Sequence, residues 1–161
     1  MPKILIIDDK EIERNLAIQA CKLKGIEYIV CDPTSDDWRW FDKMSDVDGV
    51  ITDLFWKRNH PSMEGKEDPP QGLPVVIHGL SLGKPVVVCT DAVKTDTQWG
   101  HHGAAVGWLH SGYINQLNSE SNEQNPPAFS SNSGYLPFGW QEDKDWPAAI
   151  DKVLARISQT K

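Results

Sequence analysis

No run in this 161-residue chain approaches the roughly 20 consecutive apolar residues that a membrane-spanning helix requires, so no membrane role is expected. The apolar stretch behind Met1 is also too short for a secretory signal. Cysteine is scarce. Cys21, Cys31 and Cys89 show no paired spacing and sit in apolar segments, which reads as small core hydrophobes in a reducing, cytoplasmic compartment rather than a disulfide framework. Positive charge is in deficit: 16 Lys and Arg stand against 23 Asp and Glu, giving a net charge of -7 and a pI near 5.1. Such a surface repels phosphate backbones and disfavours nucleic acid as a partner. Internal repeats are lacking too. The chain has a 39% hydrophobic fraction with a mean hydropathy of -0.46, the balance of one globular domain over 1–161 that carries polar loops around a real core.

In chain order, Lys3 to Ile7 is short, continuous and β-branched, the signature of a fully buried strand. A helix follows Asp8-Asp9-Lys10 and runs to about Lys24, with Ile12, Leu16, Ala20 and Leu23 on one face and Gly25 as its stop. Tyr28 to Cys31 reads as a second strand. Ser35 can cap a helix that carries Trp38, Phe41 and Met44 on one face. Gly49 to Leu54 is the third strand and releases Asp53 at its end. Residues 55–71 are polar and aperiodic, a loop insertion longer than compact domains usually tolerate. Leu73, Val76, Ile77 and Leu80 mark a third helix, with Pro74 in its first turn and Gly83 and Pro85 beyond it. Val86 to Cys89 is the fourth strand, ending in Thr90-Asp91. Residues 101–117 read as a helix and 118–134 as a long irregular, solvated segment. Tyr135 to Trp140 reads as a fifth, edge strand because of Pro137. A final helix is expected over Trp146, Ala149, Ile150, Val153, Leu154 and Ile157, with Asp145 as cap and Pro147 in its first turn.

This alternation implies an α/β domain: a doubly wound, five-stranded parallel sheet with helices on both faces. In the flavodoxin-like order 2-1-3-4-5, ligands bind at the carboxyl ends of strands one and three, where the strand order switches. Those ends carry Asp8, Asp9 and Asp53, with Thr90 beside them at the end of strand four. Three clustered carboxylates repel one another and need a cation or a proton. Hard oxygen ligands suit Mg²⁺. An aspartate beside such an ion can attack a phosphoryl group and become an acyl phosphate, which a hydroxyl such as that of Thr90 can then register.

At these residues the chain resembles the response-regulator receiver domains of bacterial two-component signalling. The matching pieces are Ile4-Leu5-Ile6-Ile7-Asp8-Asp9-Lys10, Gly49-Val50-Ile51-Thr52-Asp53-Leu54 and Pro85-Val86-Val87-Val88-Cys89-Thr90-Asp91-Ala92. They cover roughly residues 1–54 and 72–92. The resemblance implies that Asp53 is the phosphoacceptor and that Asp8, Asp9, Asp53 and the Phe55 carbonyl bind Mg²⁺. It also implies that Thr90 is the switch hydroxyl, that a histidine kinase or phosphotransfer protein is the donor, and that a downstream protein reads the output. Any catalysis would be limited to phosphorylation and dephosphorylation of this aspartate. Receivers carry a lysine before a proline at the end of strand five, and this chain departs from that pattern. Neither register of the fifth strand, near Ser111 or near Phe138, supplies it; Lys84-Pro85 stands at the start of strand four instead. Lys144 is the nearest downstream candidate, and its spacing does not select it.

Each feature has a plainer alternative. Helix capping and loop solvation would account for Asp8 and Asp9, less readily for Asp53 at a strand end. Thr90 can equally bond backbone. His101-His102 suits either metal ligation or a capped helix start, and with the acids it would define a metal-dependent hydrolase. Among seven Trp, Trp38 and Trp146 read as core. Trp56, Trp99, Trp108 and Trp140 read as packing under long loops, with a lid or partner surface as the alternative. A phosphoryl-accepting switch and a pseudo-receiver interaction module without phosphotransfer both remain open. The missing Lys-Pro favours the second, and the intact acid triad favours the first.

Overall fold

The computed structural model describes residues 1–35, 39–54, 56, 71–89 and 144–159. Within them, strands β1 (Lys3–Ile7), β2 (Glu27–Cys31), β3 (Gly49–Thr52) and β4 (Val86–Val88) form one parallel sheet in the order β2-β1-β3-β4. The helices are α1 (Glu11–Lys24), α2 (Trp40–Lys43) with a 3-10 turn at Met44–Asp46, α3 (Gly72–Ser81) and α4 (Trp146–Gln159). The order of β1 to β4 and their parallel pairing agree with the sequence reading. The expected fifth strand, the helix at 101–117 and the segment at 118–134 lie outside the described residues, as do Trp38, Trp99, Trp108 and Trp140. No described helix is long and apolar enough to cross a membrane.

Side-chain parity places the helices. Val50 pairs with Val86, and Val86 Cγ2 lies against Gly79 of α3. Gly49, one residue along and therefore on the opposite face, meets Val153 and Ile157 of α4. The sheet is covered on both faces, so Ile4, Leu5, Ile6 and Ile7 have no exposed surface at all. This double burial is why β1 carries no polar alternation.

Two helix boundaries follow local chemistry. Gly25 ends α1 at φ 64°, a left-handed conformation that costs a side chain about 1 kcal/mol, and its N–H reaches back toward the last-turn carbonyls. Asp145 caps α4, its Oδ1 accepting from Ala148 N at 3.0 Å, a bond worth ~1 kcal/mol. All three cysteines are buried free thiols. Burial raises the Cys21 thiol to about 11 and holds Cys89 well above its ordinary value.

The buried faces of α1 and α3 agree with the sequence expectation at Ala20 and Val76, with Leu73 and Leu80 partly buried beside them, and differ elsewhere. In α1 the core residues are Ala17, Ala20 and Cys21, whereas Ile12, Leu16 and Leu23 are 68%, 43% and 89% exposed. In α3 the buried residues are Gly72, Val75, Val76 and Gly79, and Ile77 faces out. Both errors have one cause. Small residues let a helix approach the sheet closely, and a pattern scored on large apolar side chains puts the stripe one position away. Among the described residues the second helix spans Trp40–Lys43. Trp40 and Met44 are its core anchors, while Phe41 is half-exposed and stacks on His78 with ring centroids 3.7 Å apart.

Candidate functional site

Strands β1 and β3 run side by side with Ile7 opposite Thr52. The ladder continues one residue further, Asp53 N donating to Ile7 O at 2.9 Å and Asp8 N to Cys31 O at 3.3 Å. Asp8 and Asp53 therefore leave adjacent strands at the same level. With Asp9 they form a cluster in which one carboxylate oxygen from each lies within 4.8 Å of the others.

Lys144 enters this cluster from 91 residues beyond Asp53. Its Nζ donates to Asp8 Oδ2 at 2.5 Å and to Asp53 Oδ2 at 2.7 Å, with all three side chains essentially inaccessible. The second oxygen of each acid is held by backbone. Asp8 Oδ1 accepts from Lys10 N at 2.8 Å, and Asp53 Oδ1 from Leu54 N at 2.6 Å. The Asp8 carbonyl accepts from Arg14 at 2.9 Å, whose guanidinium also pairs with Asp32 at 3.2 Å. By contrast, Asp9 Oδ1 is buried and meets no donor among the described residues.

The sequence reading found Asp8, Asp9 and Asp53, and the structure brings all three together. That reading named Lys144 only as the nearest downstream candidate for the lysine, without selecting it, and the structure places that lysine in the cluster. Two signals were available. Three clustered acids need a counter-cation, and Lys144 stands immediately before the capped start of the last helix. Counting forward from a guessed fifth strand hid it; counting backward from α4 would have found it. Lys84 lies at the other end of the sheet, where its Nζ donates to Ser45 O at 3.1 Å and Val47 O at 2.5 Å. Phe55, Thr90, His101 and His102 lie outside the described residues.

The electrostatics are those of a site short of positive charge. Burial raises the Asp8 carboxyl to about 7, Lys144 pulling it down and Asp53 adding to the rise. Burial, then the Asp53 charge, raises Asp9 to about 6. For Lys144, burial alone would lower the ammonium, but the Asp53 and Asp8 carboxylates outweigh it and hold the lysine firmly charged. Among the described residues, three carboxylates gather around one buried ammonium, and Asp9 Oδ1 meets no donor. Asp8, Asp9 and Asp53 are a group that could hold a cation with oxygen ligands.

A pH dependence of stability follows for the metal-free protein. Asp8 and Asp9 both have folded values above the ordinary 3.8, so the folded chain retains protons that the unfolded chain has released. Their stabilising effect is complete below about pH 4 and is lost as pH rises through 6 and 7. Lys144 works in a different range, its contribution disappearing only in strongly alkaline solution. In EDTA the thermal midpoint is expected to fall by about 5 °C between about pH 5.5 and pH 8. A flat or rising midpoint over that interval would show that the acids are not proton-loaded.

Trp56, three residues after Asp53, is 3% exposed and belongs to the core cluster. Gly72 closes the other side: its N–H donates to Leu54 O at 2.9 Å, and its α-carbon lies so close to the Asp53 carbonyl that no Cβ fits.

No family model matches this chain, and no curated protein does. Among solved structures, a protein fused to the yeast Spc42 trimeric coiled coil is similar at 15% identity. That match covers 76% of this chain and 87% of the other with a TM-score of 0.41, a likeness too distant to carry an argument.

Proposed function

We propose that this chain is a receiver-like phosphoryl acceptor in which Asp53 is modified and Lys144 pairs with the incoming phosphoryl oxygens. One observation carries the reading: a single buried ammonium bridges Asp8 and Asp53 at the carboxyl ends of adjacent parallel strands. Asp8 and Asp9, with Asp53 and the Phe55 carbonyl, would hold Mg²⁺, and Thr90 would supply the switch hydroxyl. The proposed fold adds a fifth strand in the flavodoxin-like order 2-1-3-4-5. A histidine kinase, phosphotransfer protein or small phosphodonor would modify this cytoplasmic domain, and a protein partner would read it.

When bound, the ion supplies neutralisation of the transferring oxygens. The rest is the work of the chain's own residues. A bond forms between an Asp53 carboxylate oxygen and phosphorus as the donor's P–N or P–O bond breaks. The Leu54 N–H fixes Asp53 Oδ1 throughout, so the carboxylate is oriented before the donor arrives. Lys144 exchanges its bond to Asp53 Oδ2 for one to a phosphoryl oxygen, while Asp8 Oδ2 keeps hold of it.

A second reading has its own support. The Asp53 residue is only 1% exposed, which favours an interaction module that keeps the acid cluster without transferring phosphate. Acetyl phosphate with Mg²⁺, followed by intact mass spectrometry, separates the two. One phosphoryl adduct is expected on the wild type, none on Asp53→Asn and none in EDTA. Calorimetric Mg²⁺ binding with no adduct from any donor would select the module. An absence of Mg²⁺ binding would remove the receiver reading altogether.

A further inference from the structure

Lys144 itself lies in no strand, and among the described residues its backbone is held from the helix that follows it. Asp145, the next residue, caps α4. Trp146 follows, 1% exposed, its backbone N–H donating to Lys144 O at 3.2 Å. The Lys144 ammonium lies 6.0 Å from the Trp146 ring centroid, at the outer limit of cation–π attraction. The indole Nε1–H donates to Glu13 Oε2 at 2.8 Å, and Glu13 stands in the first turn of α1. The lysine's backbone is thereby tied to α4 through the cap and to α1 through the indole.

A lysine is a compact charge on a flexible four-carbon stem, so the accuracy of its placement depends on where its backbone is fixed. We propose that Trp146 and Glu13 form a positioning pair that holds Lys144 in the acid cluster and couples it to the seating of α4 against α1. This deepens the phosphotransfer reading and rests on it for one of two readouts. A mere core filler with a satisfied N–H would behave differently. Its loss would weaken the fold to the same extent with or without Lys144.

The test uses the full chain. Glu13→Ala, Glu13→Gln and Trp146→Phe are made alone and combined with Lys144→Met, and a double-mutant cycle is read from denaturation of metal-free protein. Glu13→Ala and Trp146→Phe are each expected to couple to Lys144→Met by about fivefold or more in the folding equilibrium constant. Glu13→Gln, which keeps an oxygen acceptor for the indole, is expected to restore wild-type behaviour. In the second readout, Glu13→Ala slows modification of Asp53 by acetyl phosphate when Lys144 is present and has no further effect in the Lys144→Met background. Additive effects in the denaturation cycle would overturn the proposal. Coupling in a wild type that takes no phosphoryl group supports the positioning pair and overturns the phosphotransfer reading instead.

Discussion

Lys144→Met is expected to destabilise the metal-free protein by about 3 kcal/mol, and by clearly less when Mg²⁺ is present. The methionine fills much of the same volume, so the loss is electrostatic. Without the ammonium, Asp8 Oδ2 and Asp53 Oδ2, which now share one donor, face each other with no charge between them. Part of the cost is relieved by proton uptake, because Asp8 already binds its proton up to about 7. Denaturant midpoints in EDTA and in Mg²⁺ measure both quantities. Adding Asp53→Asn to Lys144→Met should return part of the lost stability, since it removes one of the two stranded carboxylates. Equal destabilisation in EDTA and Mg²⁺, with no recovery in the double variant, would show that Lys144 contributes packing rather than charge. On the proposed phosphoryl-acceptor reading, modification of Asp53 should also slow, because Lys144 donates to the Asp53 carboxylate that would be modified.

Gly72→Ala is expected to cost about 3 kcal/mol or more, and Mg²⁺ affinity should fall with it. A Cβ there would overlap the Asp53 carbonyl oxygen and lie 2.8 Å from Leu54 Cα and 3.1 Å from the Asp53 carbonyl carbon. These are backbone atoms at a buried strand end and cannot turn aside as a side chain would. Relief must come from moving either α3 or Asp53, and moving Asp53 disturbs the cluster. Gly25→Ala is the control. It meets nothing within 4 Å but sits at φ 64°, so its cost is conformational, about 1 kcal/mol, and Mg²⁺ affinity should not change. If both variants lose the same stability and Gly72→Ala binds Mg²⁺ normally, α3 does not brace the acid site.

How much of this was legible beforehand varied with the kind of residue involved. Double burial writes itself into composition, so β1 was readable from Ile4 to Ile7 without a partner in view. The strand-end acids Asp8, Asp9 and Asp53 were readable because a parallel sheet sends its carboxyl ends to one edge. Gly25 and Asp145 were readable as a stop and a cap because their chemistry is local. The packed faces of α1 and α3 were read only in part, Ala20 and Val76 correctly, because Ala17, Gly72 and Gly79 are buried for being small. Smallness matters only once a neighbour is known. Lys144 could be named but not selected for a related reason: a lysine 91 residues from its partner leaves no periodicity and no motif in the chain.

The sequence alone determined which strands would lie buried in parallel and which carboxylates would stand at their ends, since hydrophobic runs and strand termini are properties of neighbouring residues. Tertiary structure decided which cation answers those acids and which helix holds it. That choice depends on α4 packing against α1 and the sheet, bringing Lys144 within 2.7 Å of Asp53. Charge compensation acts through space, and no local pattern along the chain records it.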